Sequence, residues 1–168
     1  MNDIVVVGAG AAGMLAALAA RGACDASGQA RAVPPGAPSV VLQDGAGRIG
    51  LKILASGGGR CNVTNEAVDE RDFSTDAPHL LRSLLRAFPV ASVRALLHSR
   101  GCPLYADPSA SCSRSNRAAD VLAVLVHAVT AAGITLAPAD EVVAVSRAAG
   151  GRFRCGARAA ASSRPREW

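Results

Sequence analysis

The sequence predicts an α/β chain organised around a Rossmann-like parallel sheet, and three observations predict it. A β-branched run at residues 4–7 leads directly into Gly8-Ala9-Gly10-Ala11-Ala12-Gly13 and an Ala/Leu-rich stretch closed by Gly22. A second such run, residues 40–43, ends on the acidic Asp44. Beyond it, periodic apolar segments alternate with short β-branched ones, the order that lays helices over parallel strands.

Ile4-Val5-Val6-Val7 shows no polar alternation, as expected for a parallel strand buried on both faces. The glycines that follow act through missing side chains. Gly8 permits a tight turn, Gly10 lets main chain approach a pyrophosphate, and Gly13 lets the helix lie close to the strand. Residues 14–21 continue as that helix. Its first turn, with Ala11 and Ala12, offers unpaired N–H groups and a partial positive charge to an anion. Residues 24–38, with Gly28, Pro34-Pro35-Gly36 and Pro38, read as a surface loop inserted before the next strand. Val40-Val41-Leu42-Gln43-Asp44 is that strand. Asp44 is placed to accept hydrogen bonds from ribose hydroxyls. It lies 31 residues after Gly13, against about 20 in the usual fingerprint, and the inserted loop accounts for the excess.

Residues 50–65 carry the more specific motif, Gly-Leu-Lys-Ile-Leu-Ala-Ser-Gly-Gly-Gly-Arg-Cys-Asn-Val-Thr-Asn. Three successive glycines, Gly57, Gly58 and Gly59, weaken any regular element but suit main chain that lies against a flat or anionic ligand. Ser56, Arg60, Asn62, Thr64 and Asn65 add polar groups, and Lys52 adds a cation one short helical segment upstream. Cys61 sits inside the motif. Beside Arg60 it could have a reactive thiol, but a small buried cysteine packing beneath a ligand is the simpler reading.

Downstream, Asp76 with Pro78 at the first helical position opens a helix through Leu80, Leu81, Leu84, Leu85 and Phe88, and Pro89 ends it. Residues 90–99 form a second helix with Val93, Leu96 and Leu97 inward. Ser115 or Asn116 caps a third, with Val121, Leu122, Leu125, Val126 and Val129 on its apolar face and Gly133 as its stop. Residues 134–136 and 142–145 read as strands, and 152–155 as a weaker one. His79, His98 and His127 stand beside no partner that would make a catalytic site and read as structural or surface residues.

Composition removes several function classes. Half of the residues are hydrophobic, with few charges, which excludes a disordered tail. The net charge of +5 is concentrated in residues 151–168, where five arginines face one glutamate; the rest of the chain carries +1. Nucleic-acid binding is therefore not expected, and with three Phe, one Tyr and one Trp stacking platforms are scarce. Residues 4–20 are uncharged. Asp3 precedes them where a signal peptide carries a basic residue, and the stretch is short and Ala/Gly-rich for a membrane span. Five cysteines without CxxC spacing argue for reduced thiols in a cytoplasmic protein, with no metal site.

Taken together, GxGxxG, the acid-ended strand, the string Ser56 to Asn65 and the run Ser115-Asn116-Arg117-Ala118-Ala119-Asp120-Val121-Leu122 resemble the bacterial NAD(P)/FAD-dependent oxidoreductase family. This family includes aminoacetone oxidases and a 3-dehydro-bile-acid Δ4,6-reductase. The resemblance implies a Rossmann-like FAD-binding domain of glutathione-reductase type, incomplete here, spanning residues 1–154. It implies FAD as cofactor, with NAD(P)H or O2 as redox partner and a small organic molecule as substrate. By position, Gly8, Gly10 and Gly13 would face the FAD pyrophosphate and Asp44 the adenosine ribose. Lys52 and the segment Ser56 to Asn62 would line the flavin, and Val142 would offer its backbone to the adenine. No catalytic acid or base is assigned.

Two departures stand out. Cys112-Ser113 occupies the place of the family's aromatic-Pro pair, and a later Ala-Thr-Gly-Gly strand end is missing. Residues 155–168 lack periodicity and read as a disordered tail unlike the family, as a truncation or frameshift would leave. Missing sheet partners would then make the chain poorly soluble. A plain NAD(P)-binding Rossmann domain and a non-catalytic remnant fit the same residues.

Overall fold

The computed structural model describes residues 2–25, 27–56, 61–106, 112–114 and 117–159. The chain opens with strand β1 (Ile4–Val7), helix α1 (Ala11–Ala20), strand β2 (Val40–Asp44) and helix α2 (Leu51–Ala55). It continues through β3 (Asn62–Asn65), α3 (Pro78–Ala87), α4 (Val90–His98), β4 (Tyr105–Ala106) and β5 (Cys112–Arg114). It ends in α5 (Ala118–Ala131), β6 (Thr135–Pro138), β7 (Asp140–Arg147) and β8 (Phe153–Ala159).

The strands form a parallel sheet in the order β1-β2-β6, an antiparallel sheet β3-β5-β4, and the hairpin β7–β8. In the parallel sheet Ile4 pairs with Val40 and Val7 with Gln43, so Ile4, Val6, Val40 and Leu42 share one face. Helices α1 and α5 cover that face. Met14, Leu18, Leu42 and Val129 are fully buried between the layers, with Ala17 filling the space larger residues would crowd. This is the α/β, Rossmann-like arrangement expected from the sequence.

The opposite face is different. The hairpin rather than a helix lies over β2, where the Gln43 side-chain amide donates to Asp140 at 2.7 Å. Over β1 the cover is thin: Val5 is 38% and Val7 57% exposed. The two-sided burial expected of β1 is therefore corrected. Val5 and Val7 point to the face opposite α1 and α5, where no packed layer covers β1, and among the described residues β1 pairs only with β2.

The inserted loop is docked rather than loose. A Cβ on Gly28 would collide with the Ser92 carbonyl on α4, and Gly28 takes φ +78. Arg31 N–H returns to the Ala23 carbonyl at 2.9 Å. Pro78 takes the first position of α3, as expected. One expected cap is revised: Arg117 precedes α5 without a side-chain cap, and Ser115 and Asn116 lie outside the described residues. Strand β8 runs to Ala159, because pairing with β7 supplies order that the residue types alone do not suggest.

Candidate functional site

Loops at the carboxyl ends of β1 and β2 meet the start of α1, helix α2 and the start of β3 around a cleft of about 940 Å³. That size suits a cofactor or small ligand.

The first wall is the glycine turn. Gly8 has φ +98, which favours glycine, and its N–H donates to the Gln43 carbonyl at 2.7 Å. A Cβ on Gly13 would overlap the Gly8 carbonyl oxygen and meet Leu42 Cδ1 at 3.5 Å, so the helix and its turn touch through main chain. A Cβ on Gly10 would meet nothing within 4 Å. Gly10 is the residue before α1, and Ala11 and Ala12 are its exposed first residues. The opening residues of the helix line the cleft, and its first N–H groups have no intrahelical acceptors.

The second wall brings Asp44, Lys52, Ser56, Cys61 and Asn62 to the same cleft. Asp44 is half-buried; one carboxylate oxygen accepts the Ala9 N–H at 2.7 Å and the other the Ala46 N–H at 2.8 Å. Lys52 is exposed in the first turn of α2 and makes no ion pair among the described residues. Gly50 precedes that helix at φ +75 and lies against Leu122 of α5, which sets where α2 begins. Ser56 ends α2, and its hydroxyl donates to the Ile53 carbonyl at 2.8 Å. The hydroxyl proton is therefore engaged in ending the helix.

Gly57, Gly58, Gly59 and Arg60 lie outside the described residues. Cys61 resumes the chain buried, with φ +41, a left-handed conformation unusual for a residue with a side chain. Asn62 follows exposed on β3, paired with Arg114. Val142 is not brought to the cleft: it is half-buried on β7, paired with Ala157 of β8.

Sequence reasoning missed Arg48, an exposed cation on the rim, and an apolar wall of Phe88, Val93, Leu96, Val121 and Leu125. Val93, Leu96, Val121 and Leu125 read correctly as apolar helix faces, whereas Phe88, expected within α3, follows its end at Ala87; no local signal says that these residues border a cleft. The neighbouring Cys102 thiol is pushed up by burial, which favours its neutral form. Among the described residues no group of three or more His, Cys, Asp or Glu could hold a metal ion. No helix among them is long and apolar enough to cross a membrane.

The fold is shared with solved structures. AlpK superposes with a TM-score of 0.53 at 18% identity, covering 96% of this chain and 28% of that one. A flavocytochrome c3 fumarate reductase in its open conformation superposes at 0.51 with 19% identity, covering 89% and 28%. In sequence, the chain is 36% identical over 132 residues to the 3-dehydro-bile acid delta(4,6)-reductase of Clostridium scindens, covering 74% of this chain and 28% of the relative. It is 30% identical over 146 residues to the ribosomal RNA dihydrouridine synthase of Escherichia coli, covering 86% and 33%. The chain thus spans about a third or less of these relatives' length. Residues 2–164 match the family described as HI0933-like protein Rossmann domain, and the chain belongs to that family.

Proposed function

We propose that the chain is the FAD-binding Rossmann portion of an oxidoreductase that moves electrons or hydride between NAD(P)H or O2 and a small organic substrate. One observation carries this reading. The glycine turn, the acid ending β2, the Lys52 cation and both flanks of the second glycine cluster, Ser56 and Cys61, border one cleft.

The residues present fit the cofactor. Gly10 leaves open space where any side chain would intrude, and the first N–H groups of α1, without intrahelical acceptors, would receive the diphosphate there. Asp44 keeps a free lone pair on each carboxylate oxygen for ribose hydroxyls. Lys52, also on the cleft, would hold positive charge near the flavin end and stabilise a developing anion there. When bound, the flavin supplies the hydride and electron chemistry; the protein supplies position, shelter from water and fixed dipoles.

A reductase and an RNA-modifying synthase both stand among the relatives. The apolar wall of Val93, Leu96 and Leu125 favours a small organic substrate, because a polynucleotide asks for a row of stacking rings where this wall is aliphatic. Cys24, Cys61, Cys102 and Cys155 are free thiols, which supports a cytoplasmic setting. The open edge of β1 favours, as a second reading, a non-catalytic piece that binds nucleotide weakly.

An absorption spectrum of the purified protein tests the proposal. Yellow colour with released FAD close to one per chain is expected. A colourless protein that binds NAD(P)H but takes up no FAD would instead indicate a plain dinucleotide-binding domain.

A further inference from the structure

We propose that Asp44 is the positioning residue of the glycine turn, holding it in ligand-ready shape through the Ala9 N–H before any ribose contact is made. The proposal rests on the nucleotide-binding reading above and adds a role that the ribose contact does not contain.

Two successive N–H groups of the turn are directed inward onto β2. Gly8 donates to the Gln43 carbonyl at 2.7 Å, and Ala9 donates to the Asp44 carboxylate at 2.7 Å. Ala9 is fully buried, so no water can replace that acceptor. Fixing these two amides inward leaves the next ones, at the start of α1, without an intrahelical acceptor and on residues that line the cleft. The second Asp44 oxygen takes the Ala46 N–H at 2.8 Å, and the Ala46 carbonyl accepts the Ala139 N–H at 2.9 Å. The carboxylate is thereby fixed from behind by the β6–β7 junction.

Both Asp44 oxygens face an N–H, which makes Asp44→Asn informative. An amide of the same shape has one acceptor oxygen, so its NH₂ must confront either Ala9 or Ala46. The test measures amide exchange at Ala9 and at the remote core residue Val129, with dissociation constants for inorganic pyrophosphate and for ADP. In D44N we expect Ala9 to exchange roughly ten- to a hundredfold faster with Val129 unchanged. Pyrophosphate should bind roughly tenfold more weakly although it has no ribose, and Asp44→Glu should recover part of both losses.

Unchanged Ala9 exchange, or pyrophosphate affinity retained while ADP affinity falls, would overturn the proposal and leave Asp44 a ribose ligand only. Should D44N not fold, D44E carries the comparison. Its displaced carboxylate should speed exchange at Ala9 selectively, and equal changes at Ala9 and Val129 would count against the role. A wild-type chain that binds neither FAD nor ADP would defeat the function proposed above, whereas the Ala9 exchange in the variants still decides this inference.

Discussion

Gly13 approaches the carbonyl of Gly8 so closely that the two residues touch through main chain alone, whereas Gly10, three residues earlier, borders empty space. The motif's glycines therefore divide their labour, and substitution separates the roles. Gly13→Ala forces an overlap with backbone and should destabilise the fold by about 1–3 kcal/mol. Gly10, at φ −82 and ψ −176, has a conformation open to any residue. Gly10→Val should leave the urea midpoint nearly unchanged while abolishing flavin or ADP binding. Equal loss of stability in both variants would refute this division.

Arg21 fastens three segments at once. Its guanidinium donates to the Ala132 carbonyl at 3.1 Å and to the Ala37 and Pro38 carbonyls at 2.8 Å each, joining the end of α1, the inserted loop and the end of α5. Arg21→Ala should cost about 2–4 kcal/mol, read from chemical denaturation. Arg21→Lys should fall between, because one ammonium cannot span three carbonyls set apart for a planar fork.

Asp69 is held at about 2, against an ordinary 3.8, by the Arg71 side chain first and by the Arg71 N–H second. Glu70 is lowered by Arg82, which ties α3 to the turn before it. A carboxyl depressed in the folded state contributes stability above its unfolded value, lost as pH falls through the folded one. Following the Asp69 carboxyl by NMR should give a midpoint near 2. Arg71→Ala should return it towards 3.8; an unshifted midpoint would show that the pair does not persist in solution.

Val5 lies exposed on the open edge strand, in a run with high β-propensity and no charge. Self-association that grows with concentration is expected on light scattering. Val5→Lys, away from the cleft lining, should reduce it without lowering the melting temperature. A wild-type chain that stays monomeric at high concentration would contradict this.

Legibility followed the range of the interactions. Strand β2, the short α2, Pro78 at the start of α3 and the inward face of α5 were readable because neighbours in sequence determine them. The β3-β5-β4 sheet was not. Its strands are short and built from residues such as Asn62, Thr64 and Ser113, which pair across some fifty positions and leave no periodic trace. Val5 and Val7 look like core by composition, but their exposure depends on which layer packs over that face of the sheet. The cleft divided in the same way. Its glycine turn and acid were visible as a local motif, while Arg48 and the wall from Phe88 to Leu125 join it only through tertiary packing.

The contact between Gly50 and Leu122 reaches beyond packing. Because α2 starts where that left-handed glycine meets the neighbouring helix, the latitude of Lys52 is governed from position 122, far along the chain and outside the cleft lining. Random change in a covering helix would then retune a cation, so variants selected for altered chemistry should surface at sites no inspection of the cavity would nominate.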